Sequence, residues 1–512
     1  MGKRFRIVDR DTPYMFPRSV QDWLPENHLA RFVVGVVEKL DLGVLRESYS
    51  GRGSDAYPPS VMVSLMFYGY ATGVFSSRKL ERATYDSIAF RYIAANQHPD
   101  HDTIAHFRKR FLEQLKPLFL QILLLAREMG LLKLGKVSLD GTKVKANASK
   151  HSAMSWGHML KLEKQLKQEV AELIEQAEAA DTAAASDGLD IPDELARREK
   201  LLEEIEKAKA KLRERAAERD AAEKAAYEEK VAAREAQEKE TGKGVGGPKP
   251  KPPQGGVRDK DQINLTDEES RIMPTGGGFQ QCYNAQATVE TESYLVVGTQ
   301  VSQSPNDKQE LSPALTALRE LPEELGHSEA VLADNGYYSQ DNVDLCEEEH
   351  VTPYICLGRE KHHQSPQERL REPDPVREDA TTLEKMQHRL KTREGKAIYA
   401  KRKSTVEPVF GIIKSVMGFR QFMLRGLTAV EGEWNLVTLA WNLKRMHKMQ
   451  SIRQAAGVLC APAVLKAAFR FEKSPRRCQK GPQKAAERFL KAFLGTWSRI
   501  RPIWLWPSII RT

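Results

Sequence analysis

No apolar run in this 512-residue chain approaches the roughly 18 residues of a membrane-spanning helix. The longest, such as Phe119 to Ala126, are far shorter, so no membrane is expected among its partners. Cysteine is scarce: Cys282, Cys346, Cys356, Cys460 and Cys478 are an odd set with no CxxC pair. That excludes a disulfide-stapled scaffold and a thiolate zinc ribbon, and it points to a reducing compartment with inert thiols. The opening MGKRFRIVDRD lacks the apolar segment of a secretory leader, so a cytoplasmic protein is expected. The length allows about three domains as a prior, enough to bury a substantial core.

Positive charge is present in excess and is unevenly placed. The net charge is +9, yet Lys444 to Thr512 alone holds 16 Lys or Arg against the two acids Glu472 and Glu487. Phe469, Phe471, Trp497, Trp504 and Trp506 lie among those cations. Basic side chains with aromatic faces suit a polyanion, because Lys and Arg displace counterions from phosphates. A solvated tail without a partner is the plainer reading of the same pattern.

Residues 1–130 read as a helical N-terminal DNA-binding domain. An apolar segment, Pro58 to Tyr70, starts after Tyr57-Pro58-Pro59, and Ser76 can cap the helix that follows. A polar break at Asn96 to Pro99 precedes a helix starting at Asp102 or Thr103 and carrying Arg108, Lys109 and Arg110. Two short helices around such a break form either a DNA-reading helix-turn-helix or a plain helical hairpin. Residues 131–157 form the first part of an α/β core. There Lys136 to Lys145 has strand character, with a possible turn or bulge at Asp140-Gly141. Residues 158–240 are almost wholly Ala, Glu, Lys, Arg and Leu, the composition of a coiled-coil-like helical hairpin broken near Ser186 to Gly188. Residues 241–261 form a Pro/Gly/Lys linker expected to decouple this arm from the core. The core resumes over 262–443, and 444–512 is the basic tail.

Past the linker, Cys282 to Glu290 and Tyr294 to Val301 read as a strand hairpin. A helix over Lys308 to Arg319, a strand Ala330 to Ala333 ending on Asp334 and a helix Gln340 to Glu349 follow. Then come a strand Thr352 to Cys356, a polar loop Gly358 to Gly395 and a helix Ala397 to Val416. With Lys136 to Lys145 as first strand, this is the α/β order of a ribonuclease-H-like core, interrupted by the helical arm. The first and fourth strands of that order are neighbours, so Asp140 and Asp334 should face each other, with Glu407 on the last helix. Carboxylate oxygens are the ligands Mg²⁺ prefers, and three crowded carboxylates without a cation would repel.

The segments AYPPSVMVSLMFYGYATGVFSSRKLE, PDHDTIAHFRKRF, VSLDGTKVKANASKHS, SPNDKQEL, VLADNGYYS and STVEPVFGIIKSVMGFRQFMLRG appear in this order. In them the chain resembles the DDE transposases of bacterial insertion sequences, in the branch called the eleven-eighty-two group, from about Phe5 to His447. The resemblance implies that Asp140, Asp334 and Glu407 are the catalytic and metal-binding acids. It also implies Mg²⁺, with Mn²⁺ as substitute and two ions as the number. The implied partners are double-stranded DNA, both the element's terminal inverted repeats and target DNA, and at least a second copy in the active complex. The implied location is the bacterial cytoplasm, at the nucleoid. Related transposases carry a Y-(2)-R-(3)-E-(6)-K signature. Here Glu407 and Lys414 keep the last spacing, while Lys403 stands at the Arg position and both Tyr399 and Arg402 come one residue early. Tyr399, Arg402, Lys403 and Lys414 are then candidate DNA contacts beside Arg108, Lys109 and Arg110. Two other readings remain at this stage: a ribonuclease-H-like nuclease that cuts without joining strands, and a non-catalytic DNA-binding protein from a decayed element.

Overall fold

The computed structural model describes residues 19–49, 56–112, 114–182, 191–241, 250–358, 372–377 and 380–471. The arm's expected turn at Ser186 to Gly188, residues 242–249 of the linker and residues 472–512 of the basic tail lie outside the described residues. The chain divides into two units, Met1–Gln450 and Ser451–Thr512. In the second unit a helix continues to Phe471. Among the described residues, no helix is long and apolar enough to cross a membrane.

The N-terminal part is helical: α1 (Val20–Trp23), α2 (Leu29–Val37), α3 (Gly43–Glu47), α4 (Pro59–Thr72), α5 (Ser77–Asp86), α6 (Ile88–Ile93), α7 (His101–Phe111) and α8 (Leu115–Glu128). Pro59 opens α4, where its missing N–H costs nothing. Met62 to Ala71 are then buried without interruption, so α4 is a central helix rather than an amphipathic surface one. Asp100 caps α7, its carboxylate accepting from the Thr103 N–H at 2.8 Å, two residues before the expected start. These helices share one continuous hydrophobic core with the sheet that follows.

The strands are β1 (Lys136–Lys145), β2 (Ala153–Ser155), β3 (Gln262–Asn264), β4 (Arg271–Thr275), β5 (Gly278–Glu290), β6 (Val296–Ser302), β7 (Ala330–Ala333) and β8 (Thr352–Ile355). The main sheet runs β4-β5-β1-β7-β8, and β6 also pairs with β5. β1 lies antiparallel to β5 and parallel to β7, and β7 is parallel to β8. The expected strand order is present, with β4 as an addition: it pairs with the first residues of β5, which begins four residues before the expected Cys282. Asp140-Gly141 makes no turn. β1 runs straight through it, with Asp140 opposite Ala287 and Gly141 opposite Gln286.

Two polar stretches hold more structure than composition suggests. Within Gly358 to Gly395 lies α13 (Thr382–Lys391), started by a capping box between Thr381 and Glu384 and anchored by fully buried Met386. α14 (Arg393–Ser415) then packs on β1. The last helix, α15 (Leu427–Phe471), runs unbroken across the expected tail boundary at 443/444. Its first half is core: Trp434 is fully buried and donates its indole N–H to the Gln286 carbonyl at 2.8 Å.

The arm consists of α9 (Trp156–Thr182) and α10 (Ile191–Thr241), packed on each other. The antiparallel pair β2–β3 brings its entrance and exit together, and a small core of Met159, Leu166, Ile205, Ala208, Leu212 and Ile263 fills its base. The end of the linker is not decoupled. Arg219 donates to the Gly256 carbonyl at 2.9 Å, and Arg258 pairs with Glu223 at 2.8 Å.

Candidate active site

The parallel register of β1 and β7 matches Lys136 with Ala330 and Ser138 with Leu332. Carried two residues further, it sets Asp140 level with Asp334, which lies just past β7 and accepts the Gly336 N–H at 2.7 Å. Asp140 accepts the N–H of Gly141 at 2.8 Å. α14 supplies the third acid. Val406, Val409, Phe410 and Ile413 are its buried face, and Glu407 stands beside them with its side chain half exposed.

Arg402 joins this helix to the strand. Its side chain is largely buried, with Nη1 at 3.6 Å from Asp140 and Nη2 at 3.3 Å from Glu407. Burial opposes its charge, but Tyr399, Asp140, Asp334 and Glu407 more than offset that and hold its pKa above the ordinary value. The Asp140 carboxyl is pushed up to about 7, first by burial and then by the charge of Asp334, while Gly141 N–H and Arg402 act the other way.

A fourth carboxylate, Asp307, belongs to the same neighbourhood and adds to the negative field at Asp140. Its Oδ1 accepts from Asn284 at 2.7 Å, from Gln286 at 2.8 Å and from Lys143 at 3.4 Å. Gln286 in turn accepts from the buried Tyr337 hydroxyl. A Cβ on Gly141 would fall 2.8 Å from Asp307 Oδ1, and one on Gly336 3.6 Å from Oδ2. Gly141 therefore makes room for Asp307, while a Cβ on Gly336 would press on Asp334 Oδ1 at 2.9 Å. The segment SPNDKQEL carries it, but no spacing rule links it to the other three acids.

The sequence-derived DNA contacts divide. Arg108 is buried and gives Nη1 to the Phe75 carbonyl at 2.9 Å and to the Tyr70 hydroxyl at 3.4 Å, so its charge is spent inside the helical region. It is withdrawn as a DNA contact: on α7 the inward face takes position 108 and leaves Lys109 and Arg110 exposed. Lys414 turns back to β1, donating to the Thr142 hydroxyl and to the Lys143 carbonyl at 3.1 Å, and braces α14 rather than reaching outward. Tyr399 packs beside Ala330, Leu332 and Tyr354. Lys403, at the signature's Arg position, is exposed, and the residue inside the site is Arg402.

Among the described residues no three metal-ligating side chains lie close enough to share an ion. Arg402 stands between Asp140 and Glu407 instead. The donor chemistry still fits a hard divalent cation. Asp140 and Asp334 offer carboxylate oxygens, and the repulsion that raises the Asp140 pKa is the deficit such a cation removes.

No curated protein and no solved structure matches the chain. Two family models do. A transposase domain (DUF772) matches residues 18–110, and a transposase DDE domain matches residues 243–443. The second match takes in Asp334 and Glu407 but begins after the arm, leaving Asp140 upstream of it. Enzymes with this domain work with divalent metal ions and act on DNA. Both matches are transposase domains, so the chain carries a transposase DDE domain behind a second transposase domain, consistent with the DDE transposases of insertion sequences.

Proposed function

We propose that Asp140, Asp334 and Glu407 are the acids of this transposase. In this reading it cleaves DNA at its element's terminal inverted repeats and joins the freed 3′ end to target DNA. The observation that supports the reading is the register that sets Asp140 and Asp334 level, with Glu407 tied to the same point through Arg402. Phosphodiester transfer asks for in-line alignment and neutralisation of developing charge more than for a covalent side chain. Mg²⁺, with Mn²⁺ as substitute and two ions as the number, would supply Lewis-acid activation of the attacking and leaving oxygens when held by Asp140, Asp334 and Glu407. The chain's own part is positional. β1 and β7 fix two carboxylates, Arg402 holds Glu407 toward them, and the Asn284–Gln286–Lys143 network holds Asp307 beside them.

Lys109, Arg110 and Lys403 are the exposed cations from which we build the DNA path around this site. Coordinated cutting of two element ends implies at least a dimer in the active complex. The finer organisation stays as proposed above: 1–130 as the DNA-binding region, the core in two parts around an inserted arm, and a basic tail. A bacterial cytoplasmic, nucleoid-bound enzyme fits this reading.

The test is a strand-transfer assay with a labelled element end and a plasmid target. Wild type should yield joined products, and Asp140→Asn, Asp334→Asn and Glu407→Gln should yield none while still binding DNA. Cleavage without joined product would favour a simple nuclease.

A further inference from the structure

The base of the arm encloses a second polar site. Between α10, β3, β4 and the loop after β6 lies an open cavity of about 500 Å³. Arg215, Arg219, Lys260 and Arg271 line it, against one lining carboxylate, Asp261. That acid is already matched: Arg219 Nη1 donates to both of its oxygens at 3.0 Å. The other cations find no such partner. Arg215 gives Nη2 to the Glu268 carbonyl at 2.7 Å, and its buried Nη1 has no hydrogen-bond partner. Arg271 gives Nη1 to the same Glu268 carbonyl and to the Ser270 carbonyl, both at 2.9 Å, and Nη2 to Gln303. Two guanidiniums thus converge on one neutral oxygen. Asp267 and Glu269 lie within electrostatic range of Arg271 and offset part of its charge, but neither is hydrogen-bonded to it, and Asp267 Oδ2 is itself buried without a hydrogen-bond partner. Asp267 accepts from the Tyr283 hydroxyl at 2.8 Å, and Glu269 accepts the Leu427 N–H.

Like charges held this close and partly out of water are costly unless an anion joins them. The shift of Arg271 down to about 10, caused by burial and then by Arg215, agrees with that geometry. Guanidiniums in a fork arrangement are the side chains best matched to phosphate oxygens.

We propose that this cavity binds a phosphodiester of the DNA backbone, so that the arm's base and the catalytic sheet grip one strand together. The proposal rests on the transposase reading and adds to it a place where DNA is held away from the acids. β5 runs from Gln281 at the cavity to Ala287 opposite Asp140, about 20 Å of strand, or roughly six base-pair steps of duplex. The loop that ends the cavity at Gln303 and Pro305 leads directly to Asp307.

The experiment uses the full chain and fluorescence anisotropy on a random-sequence duplex over a range of salt. Arg215→Gln and the rim variant Lys260→Gln are compared with wild type and with Lys211→Gln, an exposed neighbour on α10. Losing one phosphate contact should flatten the slope of log K against log salt by roughly 0.9 in the first two variants and leave the control unchanged. Thermal melts confirm folding, and Lys260→Gln carries the test if Arg215→Gln does not fold. Wild-type slopes in both cavity variants overturn the proposal. A melting shift of wild type with inorganic phosphate, absent in Arg215→Gln and paired with an unchanged duplex slope, would make this a small-anion site and overturn it as well. Strand cleavage by wild type is measured in parallel. If wild type cleaves and the slopes do not move, only the cavity proposal fails; if wild type neither binds duplex nor cleaves, the transposase reading fails with it.

Discussion

The sheet and the arm place charge in opposite ways. Beside the sheet, one cluster of charge stands out, where Asp140, Asp307 and Asp334 lie partly buried around the buried Arg402 inside an apolar frame. In the arm, most charge is exposed, laced into pairs such as Lys167–Glu163 and Arg197–Glu194, over a small apolar core at its base. Buried charge in a stiff frame can be aimed and can have its proton affinity changed. Exposed pairs contribute little to stability but keep a long hairpin soluble. The arm becomes sheet-like only at its base, where Lys209 is buried against Glu163 at 2.7 Å and the arginine-lined cavity opens.

The largest expected effect falls on the sheet. Asp140→Asn, Asp334→Asn or Glu407→Gln should each lower cleavage by at least roughly 10²–10³-fold, the scale of losing one preorganised electrostatic contact. Double mutants should be hardly worse than single ones, because the acids act as a unit. Single-turnover cleavage of a labelled end measures this, and near-normal rates in any one variant would remove that acid from the site. Asp307→Asn comes next. It keeps the shape but removes the charge that Asn284, Gln286 and Lys143 hold, and a loss of about 10–100-fold in divalent-ion affinity is expected by analogy with outer-shell partners. Isothermal titration with Mn²⁺ reads it directly, and unchanged affinity would leave Asp307 a purely structural carboxylate.

Stability should separate the two regions in the same sense. Trp434→Ala hollows the fully buried core beneath β5 and should cost about 3–5 kcal/mol. Leu166→Ala in the arm should cost less, about 2 kcal/mol, because a small satellite core can collapse around the gap. Urea denaturation compares them, and an equal loss would mean that arm and sheet unfold as one equally packed body.

The effect of pH on the metal-free protein is smaller. Asp140 titrates near 3.8 when unfolded and at about 7 when folded, so the folded protein holds the extra proton between those values. This group's contribution to stability is therefore full below the lower value, declines as pH rises toward about 7 and is flat above it. Divalent ions, which need the carboxylate, should shift the melting temperature less as pH falls below that point. Melting curves of wild type and Asp140→Asn across this range decide it: a wild-type slope that persists in the variant would belong to another group. The smallest effect is at the surface. Lys109→Ala should reduce the salt slope of DNA binding by about one unit and leave the melt almost unchanged, whereas Arg110→Ala also removes the contacts of Arg110 with the Ser48 carbonyl and the Tyr49 ring.

The periodicity of the chain was enough to read the order of strands and helices in the core, and the resemblance singled out Asp140, Asp334 and Glu407. Strand alternation and apolar runs are local properties that survive a long insertion. Local patterns did not reveal α13, whose polar sequence becomes helical because Met386 finds a pocket and Thr381 caps the start. Nor did they reveal α15 as a core helix crossing the border of the basic tail. The linker's composition suggested freedom, whereas Arg219 and Arg258 tie its end to the arm.

By itself, then, the sequence determined the α/β class of the core and the existence of an inserted helical arm, because both are written in residue type and spacing along the chain, while Asp140, Asp334 and Glu407 are candidates that the resemblance names. Only the tertiary structure decided which charges face the site. Arg108 and Lys414 look like outward cations until packing turns one into the helical region and the other onto β1. Arg402 lies one residue off its signature position, yet its long side chain reaches both Asp140 and Glu407. Asp307 joins the acids only because β5 and the loop after β6 bring it between two glycines that follow residues far away in the chain. The direction of a side chain depends on which face of its element is buried, and that is settled by partners hundreds of residues away rather than by its neighbours in sequence.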